Sequence, residues 1–386
     1  MNIYSFAYIR KISYNALMKL LMISWQNFIE KRDDGGKQAS YRLYELAKAV
    51  CPETDLILFI KDEMLPENEH LKMPSHRNII CRGINILTGH LFTSKSIELQ
   101  AINRIKSGGY DTVLLDRSMY GKFSSMIKKE CPNVKIWVFF HNIEKNYFKN
   151  KIKNNPLLYL PYFSIAKSEH ETINNADRIM TLTGRDSNTL KEMYGRSSDQ
   201  VLPMAFYDLF EESRLLPDEE NRFNGNILFI GSMFGPNYEG IKWFVENVMP
   251  ELPECNLTIV GKNFEKKRDE LTRDNVTVVG TVNDLSEYYY ANNIMVMPIP
   301  YGDGIKIKTA EAIMYGKTIL ASDEALEGYD VDGVEGIYRC NTKEDYIATI
   351  KNSLQNSSST FCPEVRRLFI EKHCLDRQIE EFTQLI

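Results

Sequence analysis

Short apolar runs recur along the chain, and most are followed by segments whose apolar positions have helical spacing. Runs that are apolar throughout, without polar alternation, are typical of parallel strands that are buried on both faces. We predict strands at residues 19–24, 55–60, 112–115, 135–140, 178–182, 200–204, 226–230, 257–260, 276–279, 294–297 and 318–321. The alternation of strands and helices predicts the α/β class with parallel sheets.

The chain divides near its middle. Residues 207–224 are acidic and polar, as is typical of an interdomain linker. We therefore predict an N-terminal domain at residues 18–205 and a C-terminal domain at residues 222–374, and 386 residues are enough for two hydrophobic cores. Residues 61–95 are polar and irregular, and the pattern assigns no element to them.

Composition and charge narrow the class of protein. The chain is 43% hydrophobic and 26% charged, as in ordinary globular proteins. A net charge of -5 argues against a nucleic-acid-binding protein, which needs a basic surface. Seven scattered cysteines without a Cys-x-x-Cys pair favour reduced thiols in a cytoplasmic protein over a disulfide framework or a zinc site. No apolar run approaches the roughly 18 to 20 residues of a membrane span.

Two segments leave a peripheral membrane contact open. Residues 1–17 carry basic and aromatic residues but no acid. We interpret them as preceding the usual start at Met18, and the alternative is a membrane-surface arm. Residues 145–163 combine Lys145, Lys149, Lys151 and Lys153 with aromatic residues and leucines. We predict a solvated helix followed by a core helix there, and the alternative is docking at the inner face of an anionic membrane.

The most informative stretch is residues 298–322, PIPYGDGIKIKTAEAIMYGKTILAS. It follows a predicted strand, and Gly302 and Gly304 lack the Cβ that would keep a ligand away from the backbone. Helical spacing begins at about Ile305, and Gly316 stands where a helix C-terminus needs glycine. A glycine loop that leads into a helix N-terminus suits a phosphate, because free N–H groups and the positive end of the helix dipole meet there.

Four charged residues surround that predicted anion site. Lys306 and Lys308 place two cations in the first turn of the helix. Asp303 and Glu311, eight residues apart, bracket the element. The pattern therefore predicts an anionic ligand, typically a phosphate.

Polar residues also follow strands in the first half of the chain. Asp116 follows the strand at 112–115, and His141 follows the strand at 135–140. Functional groups in open α/β sheets collect at the carboxyl ends of strands, so both residues are well placed. Gly35 and Gly36 precede a helical segment, which indicates either a ligand-binding glycine loop or a plain tight turn. A lone histidine, taken by itself, is more often structural than functional.

A second glycine loop opens the C-terminal half. Gly231 and Ser232 follow a predicted strand and lead into a helical segment, so the loop offers backbone N–H groups to a phosphate or sugar. No cation lies between Gly231 and Gly240. The charge of a bound phosphate must therefore be met elsewhere, and Lys308 is the first candidate.

The stretch at 298–322 resembles the C-terminal signature of the retaining GT-B glycosyltransferases, the glycosyl transferases group 1 family, in a form common in surface-polysaccharide enzymes. Asp303 stands where the first acid is usually Glu, Glu311 matches the second acid, and Thr318 replaces the usual Pro. The segment VFFHNIEKNYF around His141 resembles the family's strand-end signature, and the similarity extends from about Met18 onward. The resemblance implies two Rossmann-like domains that face each other across a cleft, with a C-terminal helix at 375–386 that packs back on the first.

The resemblance also implies a role for each candidate residue. It implies a nucleotide-sugar donor, with His141 facing the transferring sugar, Asp303 binding its hydroxyls and Lys308 stabilising charge on the leaving diphosphate. The donor-binding residues are predicted to be Gly231, Ser232, Gly280, Val282, Gly304, Ile305, Lys306 and Glu311. The acceptor-side residues are predicted to be Gly35, Gly36 and Asp116.

The predicted function is transfer of a sugar, with retained configuration, to a glycan or lipid-linked acceptor in surface-polysaccharide or glycoconjugate biosynthesis. We predict no metal or other cofactor, because Asp330-x-Asp332 lacks the context of a metal-binding motif and no Cys/His cluster exists in the sequence. Two alternatives remain open. One is a sugar-nucleotide 2-epimerase on the same architecture, and the other is a non-catalytic module that binds a partner transferase.

Overall fold

The chain forms two compact units. The structure, a computed structural model, describes residues 18–29, 35–60, 70–74, 85–86, 88–91, 94–152, 159–215, 222–292, 294–302, 305–356, 359 and 361–384. The N-terminal unit comprises residues up to Ala205 together with those from Gln378 onward, and the C-terminal unit is Phe206–Arg377.

Seven parallel strands of the N-terminal unit form one sheet in the order β3-β2-β1-β4-β5-β6-β7. The strands are β1 (Leu20–Ser24), β2 (Thr54–Ile60), β3 (His70–Pro74), β4 (Thr112–Asp116), β5 (Lys135–Phe140), β6 (Arg178–Thr181) and β7 (Gln200–Val201). The helices are α1 (Gly35–Val50), α2 (Lys95–Gly108), α3 (Gly121–Glu130), α4 (Glu144–Ile152), α5 (Tyr159–Asn175) and α6 (Gly184–Tyr194). The central strand β1 sets the register, since its Ile23 pairs with Ile57 on one side and Leu115 on the other.

Six parallel strands of the C-terminal unit form a second sheet in the order β10-β9-β8-β11-β12-β13. The strands are β8 (Asn226–Ile230), β9 (Asn256–Val260), β10 (Val276–Gly280), β11 (Ile294–Met297), β12 (Thr318–Ala321) and β13 (Ile337–Arg339). The helices are α7 (Gly235–Asn247), α8 (Arg268–Leu271), α9 (Ser286–Ala291), α10 (Ile307–Met314), α11 (Asp323–Leu326), α12 (Lys343–Gln355) and α13 (Pro363–Lys372). A last helix, α14 (Leu375–Thr383), returns the chain to the N-terminal unit.

Both sheets reverse their strand order at one point. In the N-terminal unit the reversal lies between β1 and β4, and in the C-terminal unit it lies between β8 and β11. Ligands of open α/β sheets bind outside the carboxyl ends of the strands at such a reversal. The loops that follow β1, β4, β8 and β11 are therefore the places to look for functional side chains.

The strands are buried because their side chains are apolar on both faces. All residues of β1, β4 and β11 are buried, as the continuous apolar runs predict. In the N-terminal unit, the ring of Phe382 on α14 packs edge-on against Trp137 of β5, with 5.9 Å between the ring centroids. Gln200 also donates to the carbonyl of Glu381 at 3.5 Å. These contacts fix α14 against the first sheet, and the predicted end of this helix at residues 385–386 lies outside the described residues.

Two helices begin earlier than the sequence pattern predicts. The sequence places Gly35 and Gly36 in a loop before a helix at Ser40, whereas the structure places both in the first turn of α1. Helix α7 begins at Gly235, with Pro236 in its first turn, and not at Glu239. Proline is well suited to a first turn because it has no N–H to leave unpaired there. Glycine and proline therefore stand at the starts of these two helices and not in the loops before them.

The described part of the predicted linker, residues 207–215, packs onto the C-terminal unit. The ring of Phe210 stacks on Phe361 at 5.4 Å between centroids, and the Arg366 guanidinium lies 4.6 Å from the same ring. The backbone N–H of Glu211 donates to the Tyr290 hydroxyl at 2.7 Å. Aromatic and cation–π contacts thus fix residues 207–215 to this unit despite their polar composition.

Candidate functional site in the C-terminal unit

The loops at the strand reversal of the C-terminal unit carry the strongest candidate site. The loop after β8 begins at Gly231, and the loop after β11 leads to the first turn of α10. Both helices that follow these loops, α7 and α10, start with backbone N–H groups that have no partner within their helix. The structure therefore brings together the two glycine loops that the sequence predicts as anion sites.

Lys308 connects these two loops. Its ammonium group donates a hydrogen bond to the side-chain carbonyl oxygen of Asn237 and lies 5.3 Å from the centre of the Phe229 ring. The position that a Cβ on Gly231 would occupy is only 3.4 Å from the Lys308 Nζ atom. The cation missing from the Gly231 loop is thus supplied by α10, which agrees with the sequence-based placement of Lys308 but does not test its role.

The charge of Lys308 responds to its surroundings. The residue is only partly buried overall, yet desolvation around its amine, together with the nearby charge of Lys306, lowers its pKa to about 7. Within the described part of the chain, no carboxylate forms an ion pair with it. An anionic ligand beside the amine would supply a counter-charge and so offset the unfavourable free energy of the desolvated ammonium.

Lys306 has a different environment. Its ammonium group pairs with the carboxylate of Glu324 on α11, and its backbone carbonyl accepts a hydrogen bond from the Tyr329 hydroxyl at 2.8 Å. As the residue before α10, it also accepts the N–H of Thr309 at 2.9 Å. Lys306 therefore fixes the turn that presents α10, and its charge is already balanced by a carboxylate.

Glu311 lies one turn further along α10. Its Oε2 atom accepts a hydrogen bond from the hydroxyl of Tyr289 at 3.2 Å. Tyr289 is fully buried and its ring stacks on Tyr315, with centroids 4.4 Å apart. Burial and the nearby Glu311 raise the pKa of Tyr289 well above its ordinary value, so the hydroxyl keeps its proton and remains a donor.

Gly280, the last residue of β10, and Val282, in the loop that follows, are predicted donor-binding residues. Gly280 has φ = 90°, in the left-handed region that favours glycine. The Glu265 carboxylate accepts the backbone N–H of Thr281 at 3.1 Å and so fixes the loop. This loop follows β10, at one edge of the sheet.

The remaining predicted residues of this unit are distributed around the same loops. Ser232 is exposed after β8, and its carbonyl accepts the Asn237 side-chain N–H at 2.8 Å. Ile305 is partly buried, directly before Lys306. Asp303 and Gly304 lie outside the described residues. The sequence motif Asp330-x-Asp332 lies on an exposed turn, where Asp332 pairs with Arg339 at 2.7 Å.

Candidate functional site in the N-terminal unit

Asp116 and His141 form a hydrogen-bonded pair at the strand reversal of the N-terminal unit. The His141 Nε2 atom lies 2.5 Å from one carboxylate oxygen of Asp116, and the Ser24 hydroxyl donates to the other at 2.6 Å. All three side chains are buried at the carboxyl ends of β5, β4 and β1. The structure therefore brings together the two residues that the sequence predicts separately.

The protonation of this pair follows from its surroundings. Burial lowers the pKa of His141, and the positive charge of Arg117 lowers it further. Burial alone would raise the pKa of Asp116, but His141, Arg117 and Ser24 together hold it below its ordinary value. Asp116 is thus ionised and His141 neutral at neutral pH, so Nε2–H donates to Asp116 and Nδ1 is left as an acceptor.

Arg117, which sequence reasoning did not select, has a strained backbone. Its φ is 90°, a conformation that residues other than glycine rarely adopt. Its buried guanidinium lies 3.4 Å from Glu144, donates to Gln26 at 3.2 Å, and lies 5.2 Å from the Trp25 ring. Strained residues cluster at functional sites, and this one turns the chain directly after Asp116. No local sequence pattern marks this position.

Glu169 supports the loop that follows His141. This buried carboxylate on α5 accepts the Ser118 hydroxyl and the backbone N–H of Glu144, both at 2.7 Å. Glu144 is the first residue of α4. Burial raises the pKa of Glu169, while these hydrogen bonds favour its ionised form. The hydrogen bonds of Glu169 therefore fix the loop that carries His141.

Within the described residues, the predicted basic and aromatic segment forms α4 and the start of α5, whereas residues 153–158, with Lys153, lie outside them. Lys145 lies 5.2 Å from the Tyr194 ring, and Phe163 is 55% exposed. Among the helices of the described residues, none has the length and apolarity needed to span a membrane.

Comparison with known proteins identifies the class of this fold. The structure is similar to that of sucrose-phosphate synthase from Thermosynechococcus elongatus, with a TM-score of 0.66, 15% identity, and coverage of 95% of this chain and 98% of that one. It is also similar to Anabaena HepE in complex with UDP-glucose, with a TM-score of 0.62, 12% identity, and coverage of 96% and 100%. The predicted fold class is therefore confirmed: the protein has the GT-B fold, with two Rossmann-like units.

The family resemblance is confirmed in the C-terminal unit. Residues 224–356 match the model of the family described as "Glycosyl transferases group 1". A relative, described as an uncharacterized 44.6 kDa protein in the cps region of Klebsiella pneumoniae, is 26% identical over 155 residues. That match covers 36% of this chain and 40% of the relative's length. The matched family segment contains β8 to β13 and both glycine loops.

Proposed function

We propose that the protein is a glycosyltransferase that moves a sugar from a nucleotide-sugar donor to a glycan or lipid-linked acceptor. The observation that carries this proposal is the Lys308 ammonium beside Gly231, at the strand reversal of the C-terminal unit and within the segment that matches the family. Breaking the glycosidic bond of the donor places negative charge on the leaving diphosphate. A preorganised cation at that point stabilises the transition state more than the ground state.

The rest of the donor is placed around this cation. We assign the diphosphate to Lys308, Lys306 and the N–H groups at the starts of α7 and α10, and the ribose diol to Glu311. Asp303 is assigned to hydroxyls of the transferred sugar, and the loop from Gly280 to Val282 to the base. The UDP-glucose bound in HepE, a protein of similar fold, supports a nucleotide sugar as the class of donor.

The N-terminal unit contributes His141. With Nε2–H donated to Asp116, the Nδ1 atom is left to accept a hydrogen bond from a sugar hydroxyl. Asp116 orients the imidazole and stabilises positive charge on it. Gly35 and Gly36, at the start of α1, remain our candidates for close backbone approach on the acceptor side.

The finer points of the reaction are also proposals. We propose that the configuration at the anomeric carbon is retained and that the leaving phosphate oxygen takes the acceptor proton, so no enzymic nucleophile is assigned. The relative from a cps region supports a role in surface-polysaccharide biosynthesis.

We place the reaction in the cytoplasm, with the acceptor presented at the inner face of the membrane. If this is so, neutralising Lys145, Lys149, Lys151 and Lys153 will weaken binding to anionic vesicles, and unchanged binding would remove the membrane contact.

We propose that the reaction needs no metal, because the Lys308 ammonium and the N-termini of α7 and α10 would supply positive charge to the leaving diphosphate. Transfer is then expected to continue in the presence of EDTA. Loss of activity with EDTA, followed by recovery with Mg²⁺ or Mn²⁺, would contradict this.

The function is tested by incubating the purified protein with radiolabelled UDP-, GDP-, ADP- and dTDP-sugars, with and without lipid-linked saccharide acceptors. Transfer or slow hydrolysis from at least one donor is expected, and NMR of the product reports its anomeric configuration. Epimerisation of free UDP-GlcNAc without an acceptor would instead indicate a 2-epimerase. No turnover of any donor would indicate a non-catalytic module.

A further inference from the structure

Asn237 holds a position that the assigned roles do not explain. It is the third residue of α7 and only 6% exposed. Its side-chain carbonyl oxygen accepts the Lys308 ammonium, and its side-chain N–H group donates to the Ser232 carbonyl at 2.8 Å. One buried amide therefore ties the lysine of α10 to the glycine loop after β8.

The second of these hydrogen bonds fixes the first. A lysine side chain is long and flexible, so an ammonium group at a defined point needs a fixed acceptor. Because Asn237 is held by the Ser232 carbonyl, its oxygen cannot rotate away from Lys308 without breaking that bond. The place of a Cβ on Gly231 lies 3.0 Å from the Asn237 Nδ2 atom and 3.4 Å from the Lys308 Nζ atom. The absence of a side chain at Gly231 thus leaves space directly beside both groups.

The neutrality of this acceptor matters as much as its position. A carboxylate at the same place would hold the ammonium equally well but would cancel its charge. Lys306, which is paired with Glu324, illustrates that arrangement a short distance away on the same segment. An amide holds Lys308 and leaves its charge available to a ligand.

We propose that Asn237 is a positioning residue that directs the Lys308 ammonium at the diphosphate of the donor. The inference rests on the proposed function, since it assumes that a diphosphate binds beside Gly231. Asn237 acts through Lys308, and its substitution therefore affects recognition of phosphate and not of the nucleoside.

The test compares Asn237→Ala, Asn237→Asp and Lys308→Met with the wild type, using UDP and uridine as probes. Asn247→Ala is the matched control, because Asn247 lies at the other end of α7, where its side chain donates to the Trp243 carbonyl at 2.9 Å. Affinities are measured by calorimetry and NMR titration from pH 6 to pH 9. Thermal unfolding shows whether each variant is folded.

Asn237→Ala is expected to lower the UDP affinity by about tenfold, as loss of a charge-assisted contact does, and to leave uridine binding unchanged. In the wild type, UDP affinity is expected to fall as the pH rises and Lys308 loses its proton. In Asn237→Asp this fall is expected to occur at a higher pH, because a carboxylate beside Lys308 stabilises the charged form of the lysine. A purely structural role for Asn237 would instead weaken UDP and uridine binding alike in Asn237→Ala. The control is expected to match the wild type.

The outcomes separate the inference from the proposed function. If Lys308→Met weakens UDP binding but neither Asn237 variant changes affinity or its pH dependence, the positioning role is wrong and the donor site stands. If none of the three variants changes UDP binding, the donor site itself is wrongly placed. If Asn237→Ala does not fold, the nearly isosteric Asn237→Asp is the deciding variant. If its UDP affinity has the same pH dependence as that of the wild type, the inference is overturned.

Discussion

Burial of its amine and the nearby charge of Lys306 lower the pKa of Lys308 to about 7. A bound diphosphate favours the charged form and so raises this pKa. Below pH 7 the lysine is already charged, whereas above pH 7 binding must take up a proton. We therefore expect the affinity for a nucleoside diphosphate to fall as the pH rises above 7, by at most about tenfold per pH unit.

Calorimetry at pH 8 in buffers of different ionisation enthalpy measures this proton uptake. The wild type is expected to take up close to one proton per ligand, and Lys308→Met much less. Equal uptake by both proteins would show that another group is responsible.

The Tyr289 hydroxyl orients Glu311 through one hydrogen bond of 3.2 Å from a fully buried ring. If Glu311 binds the ribose diol, Tyr289→Phe will weaken discrimination between UDP and 2′-deoxy-UDP several-fold, because the carboxylate loses a fixed orientation. Tyr288→Phe, on the half-buried neighbour in α9, is the control. Titration of the two nucleotides into each variant measures the ratio. An unchanged ratio in Tyr289→Phe, with a reduced ratio in Glu311→Ala, would confine recognition to Glu311 alone.

The sequence predicts the charged residues of the site better than the residues that hold them. Lys308, Glu311 and His141 stand in motifs whose spacing shows local structure. Asn237 and Ser24 became candidates only when tertiary contacts placed them beside Lys308 and Asp116. Residues that act through a distant partner carry no signal in their local pattern, because the contact depends on how the sheet is folded.

At the level of elements, α7 packs directly on the loop after β11. A Cβ on Gly240 would lie 1.7 Å from the carbonyl oxygen of Pro298, which is backbone and cannot rotate away. Gly240→Ala is therefore expected to move α7 from the sheet and to reduce the free energy of unfolding by about 3 kcal/mol or more. Gly184→Ala in α6, where nothing lies within 4 Å of the added Cβ, is the control. Urea unfolding measures both, and equal stability of the two variants would contradict the close packing at Gly240.

Lys317, between α10 and β12, is buried and donates to the Asn292 carbonyl at 3.0 Å. Burial lowers its pKa to about 7, far below its ordinary value near 10.5. Between these two values the unfolded chain binds more protons, so this lysine makes stability rise with pH. At pH 7, Lys317→Met is expected to have a larger free energy of unfolding than the wild type. This difference is expected to shrink by about 1 kcal/mol for each pH unit up to pH 9, because the stability of the wild type rises. Urea unfolding at pH 7, 8 and 9 measures the difference, and a constant difference would contradict a neutral buried amine.

The strands are predictable because continuous apolar runs such as Ile294–Met297 have few alternatives to a buried parallel strand. The exceptions are two edge strands to which the pattern assigns no element, β3 (His70–Pro74) and β13 (Ile337–Arg339). β3 has histidine, lysine and proline in five residues and β13 is only three residues long, so neither length nor alternation distinguishes them from loops. The helix starts at Gly35 and Gly235 were placed too late for a related reason: glycine and proline indicate both loops and first turns.

At the scale of the whole molecule, the family match and the strongest site coincide. Residues 224–356 contain the Gly231 loop, Lys308 and Glu311, whereas the N-terminal unit is recognised by its fold. Donor binding is therefore the part of the proposed function that the sequence supports best. The N-terminal unit, to which we assign the acceptor, carries fewer recognisable sequence motifs.

The most direct test is a calorimetric titration of the wild type, Lys308→Met and Lys242→Met with UDP, GDP and ADP at pH 6.5. Lys242 is a matched control, because it lies on the outer face of α7 and pairs with Glu270 at 2.6 Å. We expect the wild type and Lys242→Met to bind at least one of these nucleotides equally, and Lys308→Met to bind it about tenfold or more weakly. Equal affinity of all three proteins would contradict a diphosphate site beside Gly231.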